Sequence, residues 1–214
     1  MKLIYDFFRL IGIITGLPFG WLFFKTKIYY KSNNAPRRIR GGALIISNHY
    51  NALDYVHNTL LVFPRKLNVV ASELAFKDPM IRLGMKFWGG IQANRNTKDM
   101  SFIDKSASLI SKGKLVQIFP EGRNTDDGSI KRFYPSYLLI ALKAGAPIIP
   151  IISDGSYSLT KRTHIMVGDP IYMQDLFESP TPDKEELSRA NDAVRQIALD
   201  MHAELLKLKN KNKR

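Results

Sequence analysis

Cysteine is absent from the 214 residues, which excludes disulfides, thiolate metal sites and any covalent thioester on the protein itself. Also missing is an apolar run long enough to cross a bilayer. The uncharged stretch Leu10 to Phe24 has 15 residues, about 22 Å as a straight helix against a hydrocarbon core of ~30 Å, and Gly16, Pro18 and Gly20 interrupt it. No small-x-small cleavage site follows it before Lys25 and Lys27, so a signal peptide fits poorly. Internal repeats and low-complexity segments are lacking too. Acidic residues are scarce: 32 Lys and Arg face 19 Asp and Glu, leaving a net charge of +13. Such a field attracts polyanions of several kinds, from nucleic acid to anionic lipid headgroups, phosphorylated substrates and acidic carrier proteins. With 45% hydrophobic and 24% charged residues, neither a disordered chain nor a polytopic membrane protein is indicated.

What is present divides at about residue 34. Residues 1–34 hold Phe7, Phe8, Phe19, Trp21, Phe23 and Phe24 together with Lys25, Lys27 and Lys31. This composition predicts an interfacial anchor, a helical hairpin broken near Leu17-Pro18 with its rings among acyl chains and its lysines at the headgroups. The competing reading is a helical arm covering an apolar patch of the body. Residues 35–214 read as one domain. Short apolar runs at 43–47, 67–71, 115–119, 148–152 and 163–167 alternate with helical patterns at 54–62, 79–88, 99–111 and 135–144. A packing helix follows from about Asp183. The alternation predicts an α/β fold with a largely parallel central sheet flanked by helices. The basic tail beginning at Lys207 reads as a solvated end.

Ser47-Asn48-His49-Tyr50-Asn51-Ala52-Leu53-Asp54 stands where the first of these strands ends and a helix begins, the place where α/β sheets bind ligands. Positions five apart in one helix differ by about 140°, so His49 and Asp54 can meet only if a turn separates them. With His49 in the loop and Asp54 in the first helical turn, one imidazole nitrogen donates to the carboxylate and the other is left as a base. Spacing alone is weak, and the chain carries its own control. His164 and Asp169 have the same separation, but His164 begins a strand-like run and Gly168-Asp169-Pro170 reads as a turn. That pair is assigned no chemistry, and His57 and His202 are read as structural.

A second cluster, Phe119-Pro120-Glu121-Gly122-Arg123-Asn124-Thr125, also follows a strand. A glycine lets backbone approach a ligand, and an arginine beside it can fork onto phosphate oxygens. Glu121 is positioned to orient that arginine or a substrate hydroxyl. Asn48-His49 with Asp54, then Phe119 to Gly122, together resemble the glycerolipid acyltransferase family, of the 1-acylglycerol-3-phosphate type. Gly89-Gly90-Ile91-Gln92-Ala93-Asn94-Arg95 looks like that family's second block and Pro147-Ile148-Ile149-Pro150-Ile151 like its fourth, and the four occur in the family's order over residues 40–170. Two departures stand out: Arg123 follows Gly122 directly, with Asn124 in the usual arginine place, and Ala71 stands where a lysine is common. Lys77 is the nearest substitute.

The resemblance implies an enzyme that moves a fatty acyl group from an acyl thioester to the hydroxyl of 1-acylglycerol 3-phosphate. His49 would be the base, Asp54 its holder, and Arg95, Glu121, Gly122 and Arg123 the acceptor grip. It implies no bound cofactor and no metal; acyl-coenzyme A or acyl-acyl carrier protein is the co-substrate. The partners implied are a phospholipid surface, a lysophospholipid and an acidic carrier protein, at the cytoplasmic face of a membrane. The alternatives are another lysophospholipid or glycerol 3-phosphate as acceptor, a scaffold that has lost activity, and a basic nucleic-acid-binding protein. The last has a poor case: zinc-finger spacing needs cysteine, and no aromatic-basic strand signature occurs.

Overall fold

The structure is a computed structural model that describes residues 11–12, 14–16, 20, 25–94, 99–125, 127–158, 160–179 and 181–211. The anchor expected in the amino-terminal segment lies largely outside the described residues. Those described within it, at 11–12, 14–16 and 20, are helical, and Ile11 and Ile14 are exposed. Among the described residues no helix is long and apolar enough to cross a membrane.

Seven strands form one sheet: β1 (Lys27–Tyr30), β2 (Ala43–Ser47), β3 (Leu67–Ser72), β4 (Gly90–Ala93), β5 (Leu115–Ile118), β6 (Ile148–Ser153) and β7 (His164–Val167), in the order β1-β7-β6-β2-β5-β3-β4. Every pairing is parallel except β6 with β7. The helices are α1 (Leu53–Leu61), α2 (Pro79–Trp88), α3 (Ser101–Ser111), α4 (Ser136–Ala144) and α5 (Lys184–Lys211). The largely parallel sheet flanked by helices is the architecture the alternating pattern predicts.

β1 lies within residues 1–34. Lys27–Tyr30 pairs in parallel with His164–Val167, so the sheet begins inside the segment set apart as an anchor. Its four residues are an edge strand, too short and too exposed to show a strand period.

Both faces of the central strands are buried, and the period of two splits their side chains. Leu44 and Ile46 of β2 join Val116 and Ile118 of β5 in the larger core, with Tyr137 and Leu138 of α4 and Val194 and Met201 of α5. Ala43 and Ile45 face the other way, onto Leu115, Ile149 and Ile151, where Tyr55 and Leu61 of α1 cover them. The helix ends follow local chemistry. Asp78 accepts from the N–H groups of Met80 and Ile81 at 2.8 Å each, Pro79 opens α2, and Gly89 closes it at φ 75°. Asp183 accepts from Glu185 and Glu186 N–H while Glu186 Oε2 accepts from Asp183 N–H at 3.0 Å, a reciprocal cap that starts α5.

Candidate active site

β2 and β5 are adjacent parallel strands, with Ile46 opposite Ile118, so the chain leaves both at the same end of the sheet. The two motifs that the sequence separates by some 70 positions are thereby neighbours, and each holds the other. His49 N–H donates to Glu121 Oε1 at 3.1 Å, and His49 C=O accepts from Thr125 N–H at 2.9 Å and Thr125 Oγ1 at 3.2 Å. The imidazole stacks on Phe119, centroids 3.9 Å apart and planes 15° from parallel.

The turn between His49 and Asp54 is made by Asn51, whose Oδ1 accepts from Leu53 N–H at 2.8 Å. Asp54 is the second residue of α1 and is 1% exposed. Its Oδ2 lies 2.9 Å from His49 Nδ1 and accepts from Tyr50 N–H at 2.7 Å and Asn51 N–H at 2.8 Å. Its Oδ1 accepts from the hydroxyl of Tyr157. Three donors besides the imidazole hold the carboxylate in place. Its oxygens accept from all of them, so Nδ1 of His49 is the donor in the 2.9 Å contact. Among the described residues no group bonds to Nε2, and the His49 side chain is partly exposed.

Tyr157 escaped sequence reading. It lies six residues beyond the block ending at Ile151, and its hydroxyl also meets Ser153 Oγ at 3.0 Å. Burial, and then the Asp54 carboxylate, push its ionisation far above the ordinary phenol range, so it stays a donor. Its loop is tied down by Asp154, whose Oδ1 accepts from Ser156 N–H and His164 N–H at 3.1 Å each. The other oxygen of Asp154 lies 2.6 Å from Lys209 Nζ. This corrects the reading of the tail as wholly solvated: Lys209 reaches back from α5 to a buried carboxylate. Asn48 pins the other side of the loop, pairing both ways with the backbone of Ser153 at 2.9 and 3.0 Å. Tyr50 fills the space beside it. A side-chain carbon on Gly155, which sits at φ 65°, would lie 2.6 Å from the Tyr50 ring.

Glu121 is buried, and its oxygens are taken up by backbone: Oε1 by His49 N–H and Oε2 by Lys131 N–H at 2.8 Å. This carboxylate thereby clamps the histidine loop. Burial raises its pKa, opposed by the donors from Lys131 and His49. Gly122 takes φ 69°, turning the chain with its N–H on Phe119 C=O at 3.0 Å. Arg123 is exposed beside it, and Arg95 lies outside the described residues. Among the described residues no group of His, Asp and Glu is placed to hold a metal.

The other histidines are structural in this geometry. His57 Nε2 lies 2.7 Å from Thr26 Oγ1, and burial lowers its pKa to about 4 against the pull of Asp54 and Asp154. His202 Nε2 lies 3.2 Å from Tyr50 Oη.

The chain is 27% identical over 173 residues to the human 1-acyl-sn-glycerol-3-phosphate acyltransferase beta, covering 76% of this chain and 61% of that protein. It is 28% identical over 167 residues to the 1-acyl-sn-glycerol-3-phosphate acyltransferase of Haemophilus influenzae, covering 72% of this chain and 68% of that one. With a relative from Caenorhabditis elegans it shares 26% identity and spans 62% of that protein's length, so it covers about three fifths of some relatives. The fold matches the crystal structure of PlsC, the 1-acyl-sn-glycerophosphate acyltransferase of Thermotoga maritima, with a TM-score of 0.63 at 20% identity, over 94% of this chain and 81% of that one. The sequence profile described as Acyltransferase matches residues 27–154, a span that runs from β1 past Asp154 and takes in His49, Asp54 and Glu121, and on that match the chain belongs to the acyltransferase family.

Proposed function

We propose that the protein transfers a fatty acyl group from an acyl thioester to the free hydroxyl of 1-acylglycerol 3-phosphate, giving phosphatidic acid. The observation that carries this reading is the His49 imidazole, held at Nδ1 by a fully engaged Asp54 and open at Nε2. Nε2 takes the proton of the acceptor hydroxyl as its oxygen attacks the thioester carbonyl. The C–S bond then breaks, the leaving thiolate takes the proton back from the imidazolium, and an ester and a thiol result. Asp54 stabilises the transient imidazolium. Tyr157 and Glu121 are positioning residues: one holds the carboxylate, the other the backbone of His49.

The acceptor phosphate is assigned to Arg123 with Arg95, a fork suited to phosphate oxygens. Its binding energy goes into placing the hydroxyl against Nε2. The net charge of +13 suits both polyanionic donors, coenzyme A and acyl carrier protein, and also a headgroup-lined surface at the cytoplasmic side of a membrane. The test is diacyl product formation by the purified protein and by His49→Ala, with labelled lysophosphatidic acid and either palmitoyl-coenzyme A or palmitoyl-acyl carrier protein. Product from the wild type alone supports the assignment. No product with either donor, but turnover of another lysophospholipid or of glycerol 3-phosphate, would move the acceptor assignment and put the Arg123-Asn124 departure at its cause.

A further inference from the structure

The sequence profile that matches residues 27–154 stops short of α5, yet α5 approaches the Asp54 carboxylate from both sides. His202 and Lys209 are seven positions apart, about 20° around a helix, so they share one face. His202 Nε2 lies 3.2 Å from Tyr50 Oη, and the Tyr50 N–H donates to Asp54 Oδ2 at 2.7 Å. Two turns on, Lys209 Nζ lies 2.6 Å from Asp154 Oδ2 and donates to Ser156 Oγ at 2.9 Å. One ammonium thus ties two residues of the loop whose next residue, Tyr157, donates to Asp54 Oδ1.

The Asp154 side chain is 0% exposed and that of Lys209 20%. Taking such a pair out of water costs about what its attraction returns, so stability alone is a poor reason for it. What it supplies is a single geometry. Asp154 Oδ1 accepts from Ser156 N–H and His164 N–H, and Thr163 Oγ1 donates to the Ser156 carbonyl at 2.7 Å; Asp154 Oδ2 and the Ser156 hydroxyl go to Lys209. Without the amine a buried carboxylate loses its counter-ion, and the loop must open to hydrate it. We propose that Lys209 is a positioning residue for the His49–Asp54 pair. Its ammonium closes the 153–157 loop, the closed loop seats the Tyr157 hydroxyl on Asp54, and Asp54 holds the Nδ1–H of His49. The carboxyl-terminal helix is in this way part of the site as well as of the core. The role in turnover rests on the reading of His49 as the base of an acyl transfer.

The chain has no cysteine, so a thiol placed at position 209 can be alkylated with bromoethylamine to rebuild an amine of nearly lysine's length. Wild type, Lys209→Cys before and after complete aminoethylation, and the exposed control Lys207→Cys are compared in the full chain. The first readout needs no substrate: nitrogen NMR of isotopically labelled histidine, with His49 assigned through His49→Ala. Expected is a slowly exchanging Nδ1–H of His49 in the wild type and in Lys207→Cys, lost in Lys209→Cys and restored by aminoethylation. With lysophosphatidic acid and palmitoyl-coenzyme A, kcat should follow the same order, falling by about tenfold in Lys209→Cys with KM for the acceptor unchanged. Lys209→Met/Asp154→Asn leaves no unpaired buried carboxylate and guards against a single variant that does not fold. It should melt cooperatively and still lack the signal. A folded Lys209→Cys or double variant that keeps the wild-type signal would overturn the proposal, and so would a loss that aminoethylation does not reverse. If the wild type turned over no acceptor while the signals followed the expected order, the acyltransferase reading would fail and the positioning of His49 by Lys209 would stand.

Discussion

His49 and Asp54 are five positions apart, and so are His164 and Asp169, yet only one pair is a pair. Between the first two the chain leaves β2, turns at Asn51 and enters α1, which brings Nδ1 to 2.9 Å from the carboxylate. Between the second two the chain continues along β7. His164 Nδ1 meets Tyr29 Oη at 3.2 Å, and Asp169 accepts from Ser32 Oγ at 2.7 Å. Residue types and spacing are therefore not the signal; the conformation of the four residues between them is. A turn at the carboxyl end of a parallel strand folds the carboxylate back onto the imidazole, whereas an extended strand carries it about 16 Å away at ~3.3 Å per residue.

That contrast can be broken most severely at the carboxylates. Asp54→Asn should lower kcat by about 10²–10⁴-fold, because an amide cannot accept from both loop N–H groups and the histidine while stabilising an imidazolium. Asp169→Asn should leave kcat within about twofold, since the amide oxygen can still accept from Ser32 Oγ and the residue lies outside the His49 loop; initial-rate assays of both variants compare them directly. A third histidine sharpens the point through pH. His57 is buried and its pKa is lowered to about 4, so the folded state binds fewer protons than the unfolded one between about pH 4 and 6.5. Stability is untouched above pH 6.5, falls as pH drops through that window, and levels off below it. At ~1.4 kcal/mol per pH unit the loss approaches about 3 kcal/mol. Urea titrations at several pH values measure it, and His57→Gln should flatten the slope.

Smaller effects come from the groups around Asp54. Gly155→Ala forces a side chain into a left-handed conformation and against the Tyr50 ring, and should cost about 2 kcal/mol in thermal or chemical denaturation. Tyr157→Phe removes one donor from Asp54 and leaves its other three contacts. It should reduce kcat by about tenfold, the equivalent of ~1.4 kcal/mol, with KM for the acceptor unchanged. An effect on KM alone would mean that Tyr157 acts on substrate rather than on the carboxylate.

Much of this was legible in the sequence where local chemistry is unambiguous. α2 starts and stops where it was read, at Pro79 and Trp88, because Asp78, Pro79 and Gly89 punctuate it. The His49 loop was legible because a strand, a turn residue and a helix start follow one another within a dozen positions. β1 and β4 were not read as strands, since four residues at a sheet edge carry too little periodicity. Tyr157 and Lys209 escaped for a different reason: their partners, Asp54 and Asp154, are 103 and 55 positions away, and no local pattern announces a contact made only by folding. At Glu121 the sequence offers the adjacent Arg123 and conceals the two backbone N–H groups that reach the carboxylate in space.

The turn, not the spacing, makes the hydrogen-bonded pair on which the proposed activity rests. This is tested most directly by measuring single-time-course diacyl product from lysophosphatidic acid and palmitoyl-coenzyme A with wild type, His49→Ala and His164→Ala side by side, folding of each checked by its thermal melt. The account predicts loss of about 10²-fold or more in the first variant and turnover near the wild-type level in the second. Full activity in His49→Ala, or equal loss in both folded variants, would contradict it.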